Sequence, residues 1–201
     1  MSRPSAETCL LDDPRRLLAA LRDAGWRLVG PAHRDGAIRL AEIGPEDLPR
    51  GLTDAQGPGR YRVEPGDPGR WFDHTVGPQS PRAWLSPARR KLWEAERTGD
   101  GFALTPAEED WPPTAFFAVR PCDLAAMDLQ RRALEHPAHP DPDHARRREG
   151  SFVVAVNCAR PADTCFCAAQ GTGPRAEAGY DIALTELGAG RLLMEAGSAA
   201  G

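Results

Sequence analysis

Five cysteines occur in the chain, Cys9, Cys122, Cys158, Cys165 and Cys167, and four of them fall within the 46 residues from Cys122 to Cys167. Thiolates are soft donors, so four of them brought together suit either tetrahedral zinc or an iron–sulfur cluster. Zinc sites commonly use Cys-x2–4-Cys knuckles, whereas here the spacing is Cys-x35-Cys-x6-Cys-x-Cys. Scattered ligands favour a cluster, which spreads its irons over several ångströms. Two other chemistries stay open. Cys122 follows Arg120 at the start of an expected helix, a setting that lowers a thiol pKa and makes a reactive cysteine. A lone cysteine is also often just a small apolar side chain, and Cys9, beside Leu10 and Leu11, is read that way or as a disordered thiol, with no role. The histidines, His33, His74, His136, His139 and His144, lie in polar or proline-rich stretches and are expected at the surface.

The elements that must carry these cysteines are legible in the second half of the chain. Ala115-Phe116-Phe117-Ala118-Val119 is a short apolar run between prolines and reads as a buried strand. Residues 123–135 follow as a helix, with Leu124, Met127 and Leu134 near one face, and 152–156 read as the next buried strand. Strand, helix, strand is a crossover unit, and functional groups in such units sit just past the carboxyl ends of the strands. Cys122 and Cys158 both occupy that position, so parallel pairing of the two strands would bring their sulfurs to one edge. Residues 180–184 and 191–195 read as two further strands turning at Gly188-Ala189-Gly190.

The first half is less regular. Asp13-Pro14 opens a short amphipathic helix to about residue 24, and residues 26–29 with 38–40 read as a hairpin about Asp35-Gly36. Residues 44–70 carry six glycines and five prolines and are expected to be mostly loop. Ser86-Pro87 is expected to start a helix running to about Gly99. Gly171-Thr172-Gly173-Pro174 lacks the ending of a phosphate loop and reads as a tight turn; Arg146-Arg147-Arg148 reads as a wetted face, and Trp84, Trp93 and Trp111 as core fillers. The fold class expected is α/β, a mixed sheet with crossover helices and proline/glycine-rich loops, forming a single domain over residues 1–201.

The composition narrows the function classes. With 25 Lys+Arg against 29 Asp+Glu, a net charge of −4 gives no basic excess for coating nucleic acid. No stretch approaches the roughly 18 apolar residues of a membrane span, and the first thirty residues mix acids and arginines where a signal peptide needs an apolar stretch. A cytoplasmic protein is expected, and reducing cytosol disfavours disulfides. Glycine and proline, 20 each, imply short elements and exclude long bundles.

Val119-Arg120-Pro121-Cys122-Asp123-Leu124-Ala125-Ala126, Val156-Asn157-Cys158, Asp163-Thr164-Cys165-Phe166-Cys167, Gly171-Thr172-Gly173-Pro174 and the stretch from Tyr180 to Leu187 together carry a resemblance. Over residues 115–198 the chain resembles the beta subunit of soluble NiFe hydrogenases (sulfhydrogenases), a family that includes the A subunit of anaerobic sulfite reductase. The first hundred residues fit only loosely, and Arg82 stands where that family suggests a lysine. The resemblance implies an electron conduit between a flavin- and NAD(P)-binding subunit and a hydrogenase-type catalytic subunit. It implies iron–sulfur clusters, with Cys122, Cys158, Cys165 and Cys167 as ligands of one 4Fe-4S cluster and with Arg120, Asn157 and amides of residues 164–168 hydrogen-bonding its sulfides. Such subunits generally continue into a ferredoxin-like module with two cysteine runs; the chain lacks both runs, so an N-terminal domain of a longer protein is expected. The alternatives are a thiol-based redox enzyme or sensor using Cys122, and a metal-free module that docks partner subunits.

Overall fold

Proline and glycine cut the chain into short elements, and some of the strands among them find partners far away in sequence. The computed structural model describes residues 7–75, 77, 79–107 and 111–201. A seven-stranded mixed sheet forms its centre, in the order β1 (Thr8–Leu11), β11 (Arg191–Ala196), β10 (Ile182–Gly188), β9 (Ser151–Val156), β8 (Thr114–Val119), β2 (Arg27–Arg34), β3 (Ala37–Glu42). The strands β2, β8, β9 and β10 run parallel, and antiparallel strands flank them on both sides. The expected α/β mixed sheet is therefore what forms. Among the described residues no helix is long and apolar enough to cross a membrane.

Central parallel strands are covered on both faces, which is why β8 and β9 are almost continuously apolar rather than alternating. On one face Ala115, Phe117, Val154, Val156, Leu184 and Leu192 pack with Leu18 and Leu21 of α1 (Pro14–Asp23) and with Trp71 and Phe72. On the other, Phe116, Val119, Val153, Ala155 and Ala183 pack with Leu85 of α2 (Arg82–Leu85) and Leu124 of α3 (Pro121–Leu134). The Asp13 carboxylate accepts a hydrogen bond from Arg15 N at 2.9 Å, capping α1 as its sequence predicts. Asp35 and Gly36, at φ 51° and 73°, make the tight turn between β2 and β3.

Several expectations are corrected. Residues 44–70 hold a hairpin, β4 (Leu52–Gly57) with β5 (Arg60–Pro65), in which Pro58-Gly59 turns with Gly59 at φ 66°. Residues 93–106 form a second hairpin, β6 (Trp93–Thr98) with β7 (Gly101–Pro106), where a helix was expected; every residue of it is exposed, including Trp93. The arginine run lies in a further helix, α4 (Pro142–Glu149), and is not simply wet: Arg147 is buried and donates to Leu85 O at 2.9 Å, while Arg148 pairs with Glu135. Cys9 is neither buried nor placed outside regular structure, standing exposed in β1 opposite Met194.

Candidate metal centre

Parallel pairing brings the carboxyl ends of β8 and β9 to the same edge, with Thr114 opposite Ser151 and Phe117 opposite Val154. A bulge interrupts β8 at its end: Ala118 is left unpaired at φ 61°, and Val119 then pairs with Ala155. Side chains alternate faces along a strand, so Phe117 and Val119 would ordinarily share one. The extra residue reverses the alternation, putting Val119 with Phe116 on the α3 face. Arg120 is thereby aimed into the opposite layer, toward the 71–75 segment. It is 3% exposed, and its Nη2 donates to Phe72 O at 3.1 Å and to His74 O. The other guanidinium nitrogen, Nη1, lies 4.0 Å from Cys158 Sγ.

Cys122 sits in the first turn of α3, and Cys158 two residues beyond β9. The chain then turns back: Cys165 N donates to Ala162 O at 3.0 Å, Ala162 N lies 3.3 Å from Cys165 Sγ, and Cys167 opens the short helical turn α5 (Cys167–Gln170). Gly171, at φ 65°, reverses the chain as expected of a tight turn, and the segment backs the cysteines. Pro174 O accepts from Cys158 N at 3.0 Å, and a Cβ placed on Gly173 would stand 3.3 Å from Cys167 Sγ. Cys122, Cys165 and Cys167 line one cavity of about 580 Å³, with Ala125, Ala126, Leu129 and Phe166 as its apolar wall. Cys158 is close enough that charge on Cys167 and Cys165 raises its pKa, and charge on Cys158 and Cys167 raises that of Cys122.

The four thiols singled out by sequence therefore gather about one edge. Among the described residues no three His, Cys, Asp or Glu side chains are drawn together as a ready site for a single metal ion. Zinc, at about 2.3 Å from each sulfur, would need the sulfurs within about 4 Å of one another.

The electrostatics reverse one expectation. Burial pushes the Cys122 thiol up to about 12, with the neighbouring Asp123 charge adding to it, despite the helix start and nearby Arg120. Burial also raises Cys158, against the pull of Arg120. Asp123 is pushed up to about 6 by burial, Arg120 opposing. Asn157, expected to face the cluster sulfides, is used elsewhere: its amide donates to Thr185 Oγ1 at 2.8 Å and accepts from Ala176 N at 2.8 Å, tying the 174–176 segment to β10.

Several site residues carried no signal in sequence. His74, expected at the surface, is buried beside Arg120; His144, expected there too, is buried against Glu135. His74 Nδ1 lies 3.1 Å from Thr75 O, so this nitrogen carries the hydrogen, and burial, reinforced by Arg120, lowers its pKa to about 3. The Glu186 carboxylate accepts from Trp71 N at 2.7 Å and holds the 71–75 segment on the sheet. Asp54, on β4, accepts from Thr75 N at 2.8 Å and Thr75 Oγ1 at 2.7 Å, with Arg160 beside it. A buried carboxylate in a glycine-rich stretch reads in sequence like any wetted one.

With this geometry, comparison with known proteins gives one relative. The chain is 40% identical over 78 residues to "Sulfhydrogenase 2 subunit beta" of Pyrococcus furiosus. The match covers 38% of this chain and 22% of that protein, so about a fifth of the relative's length is represented. No family model matches the chain and no solved structure matches it. The identity supports a relationship to hydrogenase beta subunits over part of the chain.

Proposed function

We propose that this chain is an iron–sulfur electron-transfer domain of a hydrogenase- or sulfite-reductase-type oxidoreductase complex. It would relay electrons in the cytoplasm between a flavin- and NAD(P)-binding subunit and a catalytic subunit, with no substrate chemistry of its own. The observation that carries this reading is the convergence of Cys122, Cys158, Cys165 and Cys167, from three separate segments, on one edge of the sheet. The partial identity to a sulfhydrogenase subunit supports it.

Cys122, Cys158, Cys165 and Cys167 would hold one 4Fe-4S cluster, which when bound supplies one-electron transfer at a potential set by burial and hydrogen bonds. The chain's own contribution is positional and electrostatic. Arg120, fixed by the Phe72 and Asp-flanked His74 carbonyls, puts a buried cation beside Cys158 and favours its thiolate. The high pKa of Cys122 means that ligation must expel a proton there, which couples loading to pH. Leu129 and Phe166, both exposed at the cavity, leave an apolar approach for a partner.

Anaerobic reconstitution tests the reading. The expected product is brown, bleaches with dithionite and contains about four irons and four sulfides per chain. Cys165→Ser is expected to abolish or convert the cluster; unchanged iron and sulfide in that variant would remove Cys165 from the ligand set. A colourless, iron-free parent chain after reconstitution would overturn the cluster altogether. The rival reading of a reactive Cys122 is disfavoured by its burial and raised pKa.

A further inference from the structure

Six residues, 159–164, separate Cys158 from Cys165, and neither helix nor strand covers them. Their conformation must be fixed by side chains, and the side chains that do so belong to the β4–β5 hairpin more than a hundred residues earlier. Arg160 Nη2 donates to Asp54 O at 2.6 Å and lies 3.2 Å from Asp54 Oδ1; its Nε stands 3.6 Å from Asp73 Oδ1. At the other end of the loop Thr164 Oγ1 donates to Gln56 Oε1 at 3.2 Å. The hairpin is itself anchored, since Tyr61 Oη accepts from Ile38 N of β3 at 3.1 Å.

Asp54 is the centre of this arrangement. Its side chain is 0% exposed, against 37% for Arg160. Oδ1 accepts from Thr75 N, and Oδ2 accepts from Thr75 Oγ1 and from Gln56 Nε2, each at 2.7–2.8 Å. A buried carboxylate needs a paired cation as well as hydrogen bonds, and the cation here comes from the cysteine loop. The loop is thus tied to the body of the protein by a charge that is costly to leave alone.

We propose that the Asp54–Arg160 pair is the latch that holds Cys165 and Cys167 beside Cys122 and Cys158, making Asp54 and Arg160 positioning residues of the metal centre. The latch is a property of the apo chain; its purpose rests on the cluster reading above.

Alkylation of the anaerobic apo chain by iodoacetamide, followed cysteine by cysteine by mass spectrometry, tests the latch without any metal. In Arg160→Gln the labelling of Cys167, half-buried in the parent, is expected to rise about tenfold relative to exposed Cys9, as for loss of a charge-assisted contact, in a chain that still unfolds cooperatively, at a lower midpoint. Arg160→Lys, which keeps the charge but not the fork, is expected to fall between Arg160→Gln and the parent. A Cys167 rate within twofold of the parent would overturn the latch, as would a uniform rise at all five cysteines. Should Arg160→Gln not fold, Arg160→Lys and Thr164→Val read the same ratio, and the absence of any change in both overturns the proposal. A raised ratio in a protein whose parent takes up no iron would keep the latch and remove the cluster.

Discussion

At the scale of single residues, Cys122 shows how burial can defeat a favourable local setting. A helix start and a nearby arginine both stabilise a thiolate, yet desolvation outweighs them and the thiol is held near 12. Alkylation at pH 7.5 is accordingly expected to reach exposed Cys9 and Cys165 first and Cys122 last. The Cys122 rate should climb about tenfold per pH unit as thiolate is released. Fastest labelling of Cys122 at neutral pH would instead favour a redox thiol. The four cysteines were legible because their type is chemically rare and strand ends predict where they emerge. Asp54, Arg160 and His74 were not, because their burial is made by segments far apart in sequence and no local pattern records it.

At the scale of elements, the bulge in β8 decides which layer receives Arg120. Holding an alanine at φ 61° costs about 1–2 kcal/mol. Ala118→Gly removes that strain but loosens the unfolded chain, so its denaturant midpoint is expected to correspond to within about 0.5 kcal/mol of the parent. Ala118→Val forces a β-branched residue into the same conformation and is expected to lose about 1–3 kcal/mol. Equal midpoints for the two variants would mean that the bulge relaxes freely. The strands β8 to β11 were readable as apolar runs between turn signals, as were α1 and α3. The β4–β5 and β6–β7 hairpins were not: residues 88–97 are rich in good helix formers, and 52–65 lack an alternating apolar face. Both hairpins are set by cross-strand pairing, which local propensity does not encode. The run Arg146-Arg147-Arg148 hid α4 for a related reason, since Arg147 is buried by stacking near Trp111 and bonding to Leu85 O rather than by an apolar side chain.

Across the whole molecule, the sheet edge that gathers the cysteines is supported from behind by a buried neutral histidine. His74 has a folded pKa near 3, below its unfolded value of 6.5, so the native state refuses a proton that the unfolded chain accepts. Its contribution is fully present above pH 6.5 and is lost as pH falls through that value toward 3. The slope is on the order of 1.4 kcal/mol per pH unit. Urea midpoints across this window are expected to fall steeply for the parent apo chain and less steeply for His74→Gln; parallel slopes would remove His74 as the cause. The β6–β7 hairpin stands apart from all of this, with every residue exposed, its turn at Gly99-Asp100 included. Evolution or an experimenter could lengthen that turn, or thread a fluorescent reporter through it, while the sheet and its cysteines folded as before; the chain carries a built-in place to write on.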